Sequence, residues 1–461
     1  MKVRSEDTIA AIATPRGEGA IAIVRISGPD SIDIADRVFR GKVFLRDVDG
    51  YTVHYGELRD QTENLVDIVL VTVFRTPHSY TGEDSIEFSC HGGVIVTNLV
   101  LEALLEAGAR QADPGEFTMR AYLNGKLDLS QAEAVADLIS ARSRKACNIS
   151  MGQLKGKLTE TLVPLRKSIL EACSLLELEL DFSADNIPLI PKDQIEATLS
   201  DVEKRVESLL RTYGLGKAYR EGVSVVLAGR PNVGKSSIFN RILMNDRAIV
   251  APTPGTTRDF IEESTIIDGI PFRIVDTAGL RSTDDLVEAS GISKTMNLLK
   301  ETDLVLEIFD TCEAVVSEER SLIVMGQTVH RVRVFNKIDL MDVNRVEDLR
   351  ASFTPQDSCV FVSALNGNGI EDLRRAMVDS ISRSGVNLEE GPQVTSKRHE
   401  QSLANCLKSI ERARESNLIG EPSEFTSFEL RQAADALSVI VGEITTDDIL
   451  DSIFGKFCIG K

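Results

Sequence analysis

Gly229-Arg230-Pro231-Asn232-Val233-Gly234-Lys235-Ser236 has the GxxxxGKS spacing of a phosphate-binding loop. The apolar run Val223-Ser224-Val225-Val226-Leu227-Ala228 precedes it and Ser237-Ile238-Phe239-Asn240-Arg241-Ile242-Leu243 follows, which predicts a buried strand, the loop, then a helix N-terminus. Its glycines let the backbone turn and approach phosphates closely, and the helix N-terminus favours their charge. Asn232, Val233, Gly234, Lys235, Ser236 and Ser237 form the expected cradle. Lys235 would reach the β and γ phosphates and Ser236 would ligate Mg2+.

Later segments name the base. Asn336-Lys337-Ile338-Asp339 ends a second apolar strand, Arg331-Val332-Arg333-Val334-Phe335, and resembles the NKxD guanine box of the GTPase superfamily. Guanine offers Asp339 two donors, at N1 and N2, and adenine offers neither, so the wrong base leaves a desolvated charge unpaired. Asn336 would meet the opposite edge of the base and the Lys337 stem would lie over the ring. Ser363-Ala364-Leu365 resembles the SAK box, with leucine in place of lysine. Asp276-Thr277-Ala278-Gly279 resembles the DxxG box, with Asp276 holding Mg2+ through water and the Gly279 N–H facing the γ-phosphate. Gly255-Thr256-Thr257-Arg258-Asp259 resembles the first switch, where Thr257 is the second hydroxyl for Mg2+, and Ala251, Pro252, Thr253 and Pro254 just before it are expected at the nucleotide as well.

Ras-like enzymes follow DxxG with a water-orienting glutamine. This chain has Leu280, which can neither donate nor accept a hydrogen bond. Glu288, in the acidic run Asp284-Asp285-Leu286-Val287-Glu288, is the candidate for that role, although by chemistry alone the run also reads as a solvated helix face.

GRPNVGKSS, GTTRD, DTAGLR with its trailing glutamate, NKID and the tail Cys458-Ile459-Gly460-Lys461 together resemble the MnmE/TrmE family of tRNA modification GTPases, nearly end to end. The resemblance implies a K+-assisted GTPase in which Asn232 and Thr256 supply side-chain ligands to K+, Ala251 and Thr253 supply carbonyls, and the catalytic glutamate falls on Glu288. It implies an N-terminal folate-binding, aminomethyltransferase-like α+β domain that also dimerises. Arg25, Glu87, Lys126 and Lys461 fall at its tetrahydrofolate-contacting positions, the donor being a 5-formyl or 5,10-methylene form. It also implies a homodimer that joins a flavoprotein, MnmG/GidA, in a heterotetramer and modifies C5 of wobble uridine in tRNA. The chemistry suits the residues: a carboxylate such as Glu87 can bind amide-like pterin edges, while Arg25 and the lysines suit a glutamyl tail. As residues alone they also read as surface ion pairs. Cys458 is the family's nucleophile candidate, and a simply free cysteine is an equal reading. A prenylation reading fails because Gly460 is not aliphatic and Lys461 is an unusual last residue.

A chain of 461 residues is too long for one ordinary core. The formal net charge of −19 argues against nonspecific nucleic-acid binding, so tRNA would need a local basic patch or a partner. Seven cysteines occur without a CxxC pair, which fits reduced thiols and gives no zinc site. No stretch is apolar enough to span a bilayer and the N-terminus lacks a signal-peptide pattern, so a cytoplasmic chain is expected.

Residues 1–120 read as the α+β domain, with strands near residues 9–13, 20–26 and 66–74 and helices over 31–39 and 94–106. His91-Gly92-Gly93 reads as a strand-to-helix turn. The period then becomes helical over 121–217, with Asp128 or Ser130 as caps and Pro164 as a start or a kink. A Ras-like G domain is expected over 218–384, inserted in a helical domain that resumes over 385–461 with helices at 397–415, 428–441 and 447–454. The alternatives are a ribosome-assembly GTPase and a folate-dependent methyltransferase with a vestigial nucleotide domain. No KH-like clamp or basic tail favours the first, and retention of all the boxes disfavours the second.

Overall fold

The structure is a computed structural model that describes residues 7–181, 192–244, 261–276, 302–314, 330–353, 358–381 and 391–461. The chain divides into two compact units, one of residues 1–139, 153–166 and 434–461 and one of residues 140–152 and 167–433. Among the described residues no helix is long and apolar enough to cross a membrane.

The first unit is built on a seven-stranded sheet. Its strands are β1 (Ile9–Ile12), β2 (Ile21–Ser27), β3 (Phe39–Gly41), β4 (Thr52–Arg59), β5 (Leu65–Phe74), β6 (Ser85–His91) and β7 (Arg110–Gln111), in the order β3-β4-β5-β6-β2-β1-β7. All neighbours are antiparallel except β1 and β7. Alternation along β2 turns Ala22, Val24 and Ile26 inward, where they meet Val71 and Val73 of β5 and Ile86 and Phe88 of β6. Helices α1 (Ser31–Val38) and α2 (Val94–Glu106) close this core with Ile34, Val100 and Leu104. His91-Gly92-Gly93 is the turn from β6 into α2, and Gly92 must be glycine because a Cβ would stand 2.4 Å from the Gly19 carbonyl oxygen.

Helix α3 (Glu116–Leu123) carries Arg120, only 2% exposed, into a buried ionic network. Arg120 pairs with Asp7 at 2.6 Å, Glu116 at 3.1 Å and Glu83 at 3.2 Å, and Arg110 pairs with Asp7 at 2.8 Å and Glu116 at 2.6 Å. Helix α4 (Leu129–Ser140) begins on Asp128, whose Oδ1 accepts the Gln131 N–H at 2.8 Å while Gln131 Oε1 accepts the Asp128 N–H at 2.9 Å. This reciprocal capping box makes Asp128 the cap, and Ser130 lies inside the first turn. Further helices are α5 (Arg144–Leu154) and α6 (Lys157–Asp181). Pro164 lies within α6 and does not start it. Burial of Leu158, Leu162 and Leu165 along one face outweighs the backbone hydrogen bond that proline forfeits.

The second unit holds a six-stranded sheet of β8 (Val223–Ala228), β9 (Ile261–Ile267), β10 (Ile270–Asp276), β11 (Leu304–Asp310), β12 (His330–Asn336) and β13 (Cys359–Phe361). Its order is β13-β12-β11-β8-β10-β9, parallel except for β9. Val225, Leu306, Ile308, Val332 and Val334 are buried beneath helices on the sheet, as parallel strands require. Helices α7 (Lys192–Arg211), α8 (Tyr213–Glu221) and α9 (Lys235–Leu243) complete the labelled set, later helices include Val343–Ala351, Ile370–Ile381, Lys397–Ile419 and Ser423–Val441, and Asp447–Phe454 belongs to the first unit. Arg414 pairs with Glu196 and Glu203, tying Lys397–Ile419 to α7.

The Arg120 network has a pH signature. Burial pushes the Asp7 and Glu116 carboxyls up, but the arginines outweigh it and hold both below their ordinary values of 3.8 and 4.5. Their contribution is therefore full above those values and is lost as pH falls through the lowered ones. We predict that Arg120→Leu lowers unfolding stability by about 3 kcal/mol at pH 7, since it removes a buried cation from Asp7, Glu83 and Glu116 and leaves Arg110 to only the first and last of them, and by less at pH 3. Urea unfolding followed by circular dichroism tests this, and equal losses at both pH values would sink the account.

Candidate functional site

In an open parallel sheet, ligands bind beyond the carboxyl ends of the strands where the strand order reverses. Here the chain runs from β8 out to β9 and β10 and then crosses to β11, so the reversal falls at β8. The loop after β8 is the GxxxxGKS stretch. Gly229 has φ +153° and a Cβ there would stand 2.4 Å from the Ile308 carbonyl oxygen, while Gly234 has φ +96° and its Cβ would stand 2.2 Å from Asn336 Nδ2. Asn232 also has positive φ, at 63°, a conformation asparagine tolerates better than most residues. Val233 is buried, and Asn232, Ser236 and Ser237 are exposed. Lys235 Nζ donates to the carbonyls of Gly229 at 3.0 Å and Arg230 at 2.8 Å, so the ammonium lies along the loop.

The residues expected to read the base stand at the ends of the neighbouring strands. Asn336, 2% exposed, ends β12, and its Nδ2 donates to the Val233 carbonyl at 2.8 Å while its Oδ1 accepts the Ala364 N–H at 3.0 Å. One amide thus joins the phosphate loop to the loop after β13. Ser363 Oγ donates to Asp339, whose carboxylate is otherwise exposed. Lys337 has φ +70° and pairs with Asp310 at 2.6 Å. Asp276 ends β10 opposite Leu227 of β8. Ala251, Pro252, Thr253, Pro254, Gly255, Thr256, Thr257, Thr277, Ala278, Gly279, Leu280 and Glu288 lie outside the described residues.

A second cluster sits on the first unit's sheet. Arg25 of β2 and Glu87 of β6 are register partners, and the guanidinium meets the carboxylate at 2.7 Å and 2.8 Å. The Arg25 guanidinium also stands 5.4 Å from the Tyr80 ring and 5.6 Å from the Phe117 ring. Its Nη1 is buried with no hydrogen-bond partner among the described residues. Lys461 Nζ lies 5.8 Å from the same Tyr80 ring. Burial, and then the Arg25 charge, hold the Lys461 amine below its ordinary value, with Glu87 opposing. Lys126 Nζ donates to the Pro77 carbonyl at 3.0 Å, on the loop that carries Tyr80.

The tail that delivers Lys461 is anchored by Phe454 and Phe457, which pack with Met119, Leu129 and Val135. Gly460 has φ +99° and a Cβ there would stand 2.2 Å from the Ile12 carbonyl oxygen, so only glycine lets the tail lie so close. Cys458 is exposed.

Sequence reasoning missed Tyr80, Phe117, Asp310 and Arg241. Arg241 of α9 donates through Nε to the Ala364 carbonyl at 2.8 Å and through Nη2 to the Leu365 carbonyl. An aromatic in a loop and an arginine on a helix carry no motif, and only the folded register brings them to a site.

Compared with known proteins, the sequence matches the family described as MnmE helical domain over residues 129–458 and that described as GTP-binding protein TrmE N-terminus over residues 8–126. It is 43% identical to the tRNA modification GTPase MnmE of Salinibacter ruber (strain DSM 13855 / M31) over 463 residues, 99% of each chain. It is 41% identical to that of Geobacillus thermodenitrificans (strain NG80-2) over 463 residues, again 99% of each chain. With that of Aquifex aeolicus (strain VF5) the identity is 42% over 457 residues, 99% of this chain and 100% of the relative.

We predict that Asn336→Ala weakens GTP and GDP alike by roughly 100-fold, because two buried hydrogen bonds go and their partners are left unsatisfied. Titration with a fluorescent guanine nucleotide reads this, and a change of less than about threefold would exclude the bridging role.

Proposed function

The chain belongs to the MnmE/TrmE family of tRNA modification GTPases, and on that premise we propose that its GTPase cycle drives modification of wobble uridine (U34) at C5 in tRNA, installing an aminomethyl or carboxymethylaminomethyl group. The enzyme is a GTP hydrolase that takes part in tRNA modification. The one-carbon unit comes from a folate and the redox step from a flavoprotein partner, MnmG/GidA, joined to a homodimer of this chain. The observation that carries the guanine half is the Asn336 amide, which joins the phosphate loop to Ala364, next to Ser363, whose hydroxyl donates to Asp339.

Asp339 accepts from guanine N1 and N2, the Ser363–Ala364 loop, held by the Ala364 N–H on Asn336 Oδ1, borders the base, and Lys235 with the N–H groups at the start of α9 neutralises phosphate charge. The exposed hydroxyl of Ser236 in the first turn of α9 and the exposed amide of Asn232 are hard oxygen donors of the type Mg2+ and K+ take. Ser236 and Thr257 would hold Mg2+. Asn232 and Thr256, with the carbonyls of Ala251 and Thr253, would hold K+. Bound there, the cations supply positive charge against the charge that develops between the β and γ phosphates. Glu288 orients the water that attacks the γ-phosphorus as the bond to the β-phosphate oxygen breaks, leaving GDP and phosphate.

Among the described residues the buried Nη1 of Arg25 has no hydrogen-bond partner, Glu87 pairs with the same guanidinium, and Lys461 stands over the same Tyr80 ring, a cationic corner suited to a folate carboxylate. Tyr80 offers a flat face to a planar ring. Lys126 would meet a glutamyl tail from the side of the Pro77 loop. The exposed thiol of Cys458 lies on the same tail and is our nucleophile candidate.

Two outcomes are expected. GTP turnover is faster in K+ than in Na+ at equal ionic strength, and equal rates would end the cation argument. Nucleosides from tRNA of cells lacking this protein lose the C5 modification of wobble uridine, and a normal wobble position would overturn the central reading.

A further inference from the structure

A chain with 71 acidic and 52 basic residues must gather cations locally if it is to hold a polyanion. One stretch does so. Residues 142–157 contain five cations, Arg142, Arg144, Lys145, Lys155 and Lys157, and no carboxylate, the nearest along the chain being Asp137 and Glu160. The stretch is built around α5, whose Ala146, Ser150 and Gln153 are buried at helical spacing while Arg144, Cys147, Asn148 and Met151 are exposed. Lys145 is taken up by the fold: its Nζ stands 5.6 Å from the centre of the Tyr219 ring and 3.4 Å from the Tyr219 hydroxyl. The other four cations are exposed, and among the described residues none of their side chains enters a hydrogen bond or an ion pair. Cations further along are spent differently, Arg166 on Glu443 at 2.9 Å and Lys167 on Glu171 at 3.6 Å. Helix stability does not account for the four, because the first turn of α5 holds Arg144 and no acidic residue, where the helix dipole disfavours a cation. Two of them stand at the start of this eleven-residue helix and two just past its end, a span of about 16 Å that covers phosphates of successive nucleotides.

We propose that Arg142, Arg144, Lys155 and Lys157 form a contact surface for the phosphate backbone of tRNA, the local basic patch that so acidic a chain requires. The inference rests on the reading that this chain works on tRNA, and it adds a surface that no sequence motif marks. RNA is favoured over an acidic protein because the chain belongs to a family of tRNA modification GTPases. The exposed side of α5 between the cations also presents Asn148 and a single methionine, too little apolar surface for the dry centre of a protein interface.

Binding of an unmodified tRNA transcript to the full chain is followed by fluorescence anisotropy over a range of KCl concentrations. In the variant carrying Arg142→Ala, Arg144→Ala, Lys155→Ala and Lys157→Ala, Kd at the lowest salt rises at least about tenfold and the slope of log K against log salt shrinks by roughly 3, the share of four lost phosphate contacts. The two half-variants, one at Arg142 and Arg144 and one at Lys155 and Lys157, each show about half of that change in slope. GTP turnover without tRNA stays at the wild-type rate in all three, which reports an intact fold. Alanine at four other exposed cations, Lys42, Lys204, Arg345 and Lys408, removes the same charge and leaves the slope nearly unchanged. Equal weakening by both sets would mean net charge alone and would overturn the proposal. Unchanged affinity and slope would overturn it too, and loss of wobble modification in cells alongside them would assign the surface to an acidic protein. A wild-type chain that binds no transcript at any salt would sink this inference alone, whereas normal wobble uridine in cells lacking the protein would bring down the reading on which it rests.

Discussion

The Asn336 side chain is the constraint on which the nucleotide end of the second unit depends. It is buried, so each polar atom must find a partner inside the protein, and the two partners lie on different loops. Its donor goes to the phosphate loop and its acceptor to the loop after β13. The neighbouring peptide is held as well, because Thr311 Oγ1 donates to the Asn336 carbonyl. This arrangement dictates glycine at position 234, where any Cβ would occupy the space of the Asn336 amide nitrogen. A glycine usually explained by phosphate approach is thus required by internal packing too.

The first unit solves a different problem with the same economy. Register places Arg25 against Glu87, two aromatic rings flank the guanidinium, and the chain's last lysine arrives by a path that only a glycine at 460 permits. In a chain of net charge −19, this gathers two cations around one carboxylate in a partly desolvated corner. Water screens such a corner poorly, so an incoming carboxylate gains more there than on an open surface. The buried Arg120 network supports the same sheet, since Glu83 also accepts from Ser27 at the end of β2.

Much of the secondary structure was legible because amphipathic period and turn chemistry agreed. The strands at Ile9–Ile12, Ile21–Ser27 and Leu65–Phe74 and the helices at Ser31–Val38 and Val94–Glu106 follow the expected runs within a few residues. The helix expected over 397–415 extends to Ile419, and that expected from 428 begins at Ser423. Of the two readings of Pro164, a helix start or a kink, the start does not hold, because the buried leucine face carries the helix through it. The choice between Asp128 and Ser130 could not be made from spacing; it depends on which side chain stands outside the first turn, and Asp128 does.

Sequence by itself determined the features that have a strict local grammar: the glycine loop between strand and helix, and the family to which the chain belongs. These are legible because phosphate and guanine impose fixed short spacings on the backbone that binds them. Tertiary structure alone decided which distant groups share a site. Arg241 meets Ala364, Tyr80 meets Arg25 and Lys461, and Lys126 meets Pro77, each through strand register and helix placement. Such contacts bridge long separations along the chain and are selected by packing, which leaves no pattern in any single stretch of residues.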